Sequence, residues 1–206
     1  MEDIGTVATA RAWGLMAWGH ACLALALVVF LTFNGVNGTP GAAVAGTAVL
    51  LTVGFLLPAV ATFRAARLVG ARGPATKGLF AHGAGLVGLL LGVACIVTDL
   101  HALDRLGAAI VAMSGAASVV GVVACRRGMQ GRVGASGRVG LTCLVAGACL
   151  LVLGALAVAG ANLLFASLSV ISQTQENAWV DLGATVSALG CVLVTYSLVA
   201  LRRAGA

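Results

Sequence analysis

Six long apolar runs dominate this chain, at residues 12–33, 42–63, 79–98, 106–125, 140–161 and 178–201, and none contains a lysine, arginine or glutamate. A helix of about 20 residues rises about 30 Å, the thickness of a bilayer's hydrocarbon core. Inside lipid a backbone has no water to bond, so each segment must satisfy its own N–H and C=O groups or close into a barrel. Continuous apolar runs of this length read as helices, not as alternating barrel strands. The expected architecture is all-α: one polytopic domain over residues 1–206, six transmembrane helices arranged as three hairpins.

Composition closes off the alternative. Only 9% of the 206 residues are charged and 61% are hydrophobic, against about 25% charged in a soluble domain. Too little polar surface exists to face water. The net charge of +6 therefore implies no nucleic-acid partner, because loop topology already accounts for it. The chain opens Met1-Glu2-Asp3, acidic where a signal peptide is basic, so the first apolar run reads as a retained anchor.

The basic residues set the orientation. Arg11 precedes the first run, Arg64, Arg67, Arg72 and Lys77 follow the second, Arg126, Arg127, Arg132 and Arg138 follow the fourth, and Arg202 and Arg203 follow the sixth. The alternate segments carry Asp99, Asp104, Glu176 and Asp181, with Arg105 as their one base. With Glu2 and Asp3 counted, one face sums to +9 and the other to −3. Short cytoplasmic loops retain Lys and Arg, which predicts both termini on the cytoplasmic side (or its matrix or stromal equivalent). The basic face is expected to lie against anionic lipid headgroups. Trp13 and Trp179 stand at the ends of their runs, where an indole ring favours the interface.

Small residues are expected to set the packing, since lipid tails are as apolar as leucine and only close backbone approach rewards association. The chain has 29 glycines. The stripes that stand out are Ala84, Gly88 and Gly92; Ser114 with Ser118; Ala117 with Gly121; Gly147, Gly154 and Ala161; and Gly183, Ser187 and Cys191. Such faces can also dock other membrane subunits or a second copy of the chain. Pro58 removes a backbone donor and frees the carbonyl of Gly54, which predicts a kink in the second run. The six cysteines all fall in apolar runs without a CxxC pair, a pattern of packing residues.

Groups able to carry chemistry are few. His20 and His82 lie in the first and third runs with small neighbours on both sides. Two imidazoles from facing helices are the ligand set of a b-type haem. On the acidic face Asp99, His101 and Asp181 are a candidate cation site. Asp181 reads as a first-turn residue suited to the helix dipole, and Asp104 with Arg105 as a surface ion pair. Asn34–Gly41, with the sequon Asn37-Gly-Thr39, reads as a turn. No buried carboxylate marks a proton pathway, and no HExxH, GxSxG or paired-acid spacing marks an enzyme.

These features point first to a non-enzymatic scaffold or accessory subunit of a larger membrane complex. A small-solute or ion channel with a path near Pro58 and an acidic mouth comes second. A haem-carrying electron-transfer subunit comes third. Sidedness is open to direct test: reporter fusions at residue 1 and residue 206 should both report the cytoplasmic side, and opposite reports from the two ends would overturn the charge argument.

Overall fold

The computed structural model describes residues 4–33, 41–68, 73–97, 101–131, 133–167, 169 and 171–204. Its elements are α1 (Ile4–Phe33), α2 (Gly41–Leu68), α3 (Pro74–Val97), α4 (His101–Met129), α5 (Ala135–Asn162) and α6 (Gln173–Arg203), with a π-helical turn, Leu163–Ser167, continuing α5. No strand occurs among the described residues. All six helices are long and apolar enough to cross a membrane, with mean hydropathies of 2.0 to 2.6. By length and composition this is a multi-pass membrane protein.

The helices outrun their apolar stretches. Arg11, Arg64, Arg67, Lys77, Arg126, Arg127, Arg138, Arg202 and Arg203 all ride on helical turns instead of loops. A helix leaving hydrocarbon loses none of its internal bonds, and long basic side chains can reach the headgroup level from its last turns. Arg72, Arg132 and the sequon at residues 37–39 lie outside the described residues.

Packing follows chain order. Each helix packs on its neighbours in sequence, and α6 returns to α1, which closes a ring of six. No backbone-level packing joins α1 to α3 among the described residues.

Glycine sets the register of the closest pairs. On α3, a Cβ at Gly78 would run into Gly121 and Cys125 of α4, one at Gly85 into Ser114 and Ser118, and one at Gly92 into Val111 and Gly107. Rising numbers on α3 meet falling numbers on α4, so the two are antiparallel. The seam on each helix repeats every seven residues, the period of a left-handed crossing. This corrects the four-residue stripe expected on α3, since Ala84 is exposed. The same device joins α5 to α6, where Gly147 meets Gly190 and Gly154 meets Gly183. On α1 and α2, Gly19 takes Pro58 and Gly54 takes the Leu23 backbone. Pro58 is therefore a buried packing knob within a continuous α2.

Two apolar clusters fill the interior. One gathers Trp13, Met16, Leu79, Val122, Leu141, Leu144, Leu198 and Leu201 at the end that carries the basic residues. The other gathers Leu23, Phe55, Leu86, Leu89, Val111 and Leu151 in the opposite half. Trp13 is wholly buried in the first cluster, not at the lipid interface as its sequence position suggested. Helix α1 starts well before it and carries it inward. Trp18 and Trp179 are the exposed indoles.

The glycine seams set a sharp contrast. Gly190→Leu forces a side chain against Gly147 O, 2.7 Å from the Cβ position, and should destabilise the fold by about 1–3 kcal/mol or more. Gly46, with nothing within 4 Å of its Cβ position, should accept Ala with a gain of up to about 1 kcal/mol. Thermal melting of the two variants in detergent checks both.

Candidate functional site

The seam between the two apolar clusters is polar. His20 follows Ala17 of the basic-end cluster and precedes Leu23 of the other; His82 likewise falls between Leu79 and Leu86. Both imidazoles are buried, at 0% and 2% exposure. Their ring centroids lie 6.4 Å apart and the ring planes are parallel within 2°. The structure thus brings together the two histidines that the sequence singled out, from helices that do not pack on each other.

Helix α2 makes this possible. It lies between α1 and α3. Pro58 fits into the space left by Gly19, the residue before His20, while Ala59 O and the Phe63 ring lie within 3.3 Å of the Cβ position of Gly83, the residue after His82. The thickness of one helix at two adjacent turns therefore spaces the rings. Helix α4 orients the second ring: a Cβ at Gly121 would abut the His82 backbone, and this closeness brings the Ser118 hydroxyl within 2.7 Å of His82 Nδ1. Thr62 on α2, also buried, donates to Pro58 O at 2.6 Å.

The ring nitrogens are in unequal positions. His20 Nδ1 donates to Met16 O at 2.8 Å. A carbonyl only accepts, so the proton sits on Nδ1 and the neutral ring carries its lone pair on Nε2. Nε2 of His20 and Nε2 of His82 are both buried without a hydrogen-bond partner. A buried polar group left unpaired costs about 1–3 kcal/mol, and two of them stand in one layer.

Ser118 is the residue of the candidate site that sequence reasoning missed. It registered only as half of a packing stripe. The signal that locates it is the α3–α4 register, which sets Ser118 beside His82 once Gly78 is opposed to Gly121.

The acidic face is arranged differently from expectation. Asp99 lies outside the described residues, as does the side chain of His101. Asp181 is exposed, and because α6 starts at Gln173 it sits beyond the first turn, out of reach of the dipole argument. Ser172 caps that helix through a capping box with Gln175, and Glu176 is the first-turn acid. Asp104 is buried at 3% exposure in the first turn of α4, away from the surface position that its sequence context suggested. That turn carries free backbone N–H groups and the positive end of the helix dipole, both suited to a carboxylate. Among the described residues no group of three or more His, Cys, Asp and Glu side chains could hold a metal ion.

No protein family, curated protein or solved structure matches this chain. The geometry alone defines the candidate: a buried two-imidazole centre in the membrane interior.

Ser118→Ala removes the side-chain partner of His82 Nδ1 and should destabilise the protein by about 1–3 kcal/mol. Thr142→Ala, at an exposed hydroxyl bonded to its own helix at Arg138 O, should change stability by under about 0.5 kcal/mol. Equal melting shifts for the two would show that the His82–Ser118 contact contributes nothing.

Proposed function

We propose that this chain is a small integral membrane subunit that works by binding and not by catalysis, with the His20–His82 pair as its working centre. One observation carries this: two fully buried imidazoles, 6.4 Å apart, each with Nε2 unpartnered. Protein interiors pair their polar groups, so two unpartnered ring nitrogens in one layer are explained by a ligand that completes them. Metal ions and haem iron are the ligands that neutral imidazole pairs hold.

Six helices in three antiparallel hairpins, both termini on the cytoplasmic side, put the basic helix ends against anionic headgroups. The pair then lies below mid-membrane on that side. An accessory subunit of a larger membrane complex, or a homo-oligomer, suits a chain whose polar surface is confined to its two ends. Exposed apolar side chains such as Trp18, Met113, Val120 and Leu189 meet lipid or partner helices.

Purification in mild detergent, followed by an absorption spectrum, elemental analysis and identification of co-purifying chains, tests this. The wild type should retain a metal or haem and at least one membrane partner, and His20→Ala and His82→Ala should each lose the ligand while remaining monodisperse. A ligand-free, lone, monodisperse chain with two silent histidine variants would rule the proposal out.

A further inference from the structure

One seam of the ring differs from the others at its basic end. Given that the basic helix ends face anionic headgroups, we propose that the α1–α6 seam holds an anionic phospholipid there. Its phosphate lies on Arg11, Arg202 and Arg203, and its glycerol–ester region between Trp18 and Tyr196. The proposal is independent of the histidine pair.

Spacing is the first support. Residues seven apart share a helix face, and seven residues rise about 10 Å. From the basic end, one face of α1 reads Arg11, Trp18, Leu25, and one face of α6 reads Arg203, Tyr196, Leu189; all six residues are exposed. Each helix thus presents a cation, then an amphipathic ring, then an aliphatic side chain. That is the order of phosphate, ester carbonyls and acyl chains in a phospholipid. Indole N–H and phenol O–H groups suit the ester level, with the ring bodies against hydrocarbon.

The two faces meet at one depth. Thr195 Oγ1 stands 3.5 Å from Ala17 O across the seam, and Tyr196 and Trp18 are the residues that follow. Arg202 crosses from α6 to α1: its guanidinium Nη1 is 3.4 Å from the Cβ position of Gly14, between Arg11 and Trp18 in the chain. A side chain at Gly14 would displace it. Guanidinium groups match phosphate oxygens through a planar fork of donors.

Contrast selects this seam. Arg67, Lys77 and Arg127 are also exposed at the basic end, but seven positions inward stand Val60, Ala84 and Val120, without an indole or phenol. Trp18 is the exposed indole of the basic half and Tyr196 is the chain's one tyrosine; both flank α1–α6.

Charge and hydropathy together commit the occupant. The acids among the described residues, Asp104, Glu176 and Asp181, all lie near the other end, and Glu2 and Asp3 fall outside them. An anion with acyl chains answers both the arginines and the apolar strip beyond the rings. A free anion answers only the arginines.

Quenching of Trp18 tests the site. The full chain carrying Trp179→Phe is placed in phosphatidylcholine vesicles that contain brominated phosphatidylglycerol or brominated phosphatidylcholine at equal fraction. Trp13 is buried, so quenching reports lipid at Trp18. Phosphatidylglycerol should be enriched there about fivefold or more, the contribution of roughly one arginine at a membrane surface. Arg11→Gln/Arg202→Gln/Arg203→Gln should abolish the preference at unchanged helicity. Gly14→Leu, which keeps every charge, should reduce it. Arg64→Gln/Arg67→Gln/Arg127→Gln, which removes as much charge elsewhere, should leave it intact. A preference that survives the first triple variant, or that falls equally in both, overturns the seam site while the headgroup reading stands. No preference in the parent chain overturns both. Reversal of the preference by inorganic phosphate at constant ionic strength assigns the arginines to a free anion and overturns the lipid.

Discussion

An apolar helix in a bilayer gains little by exchanging lipid for another helix, so backbone approach at small residues must supply the association. Among the described residues, glycines stand at the close helix approaches. Gly78 and Gly92 against α4, Gly147 and Gly154 against α6, and Gly19 and Gly54 against α2 are places where a Cβ would collide with a neighbouring helix. The interior clusters are filled by side chains of moderate size that the seams have already drawn together.

The polar layer depends on the same contacts. Two imidazoles in an apolar interior are costly unless their nitrogens are satisfied. One nitrogen of each ring is satisfied: by the Met16 carbonyl within α1 for His20, and by Ser118 across the α3–α4 seam for His82. The other nitrogen of each ring has no hydrogen-bond partner.

Much of the fold was legible in the sequence. The six apolar runs gave the helix count, since length and hydropathy alone decide membrane spanning. Helix ends were less legible: α1 reaches back to Ile4, because propensity continues where hydropathy stops. That extension buried Trp13, and the early start of α6 moved Asp181 off its first turn. Asp104 was misread because a charge beside Arg105 looks like a surface pair, while its burial depends on which face of α4 the ring turns inward. His20 and His82 were identified by residue type, but their meeting was not, because it depends on the thickness of α2. Ser118 was hidden for the same reason: a serine in a glycine-rich helix looks like packing until the register across the seam is known.

Helix α2 packs on both histidine-bearing helices, whose backbones do not pack on each other and which meet through their imidazoles. It acts as a spacer block in a caliper. The gap between the imidazoles is set by the Pro58 ring against Gly19 and by the Phe63 ring and the Ala59 carbonyl against Gly83, all on α2. A change of bulk at Pro58 or Phe63 would alter that gap while both histidines stay unchanged, so the spacing of the pair is written into a helix that carries neither imidazole.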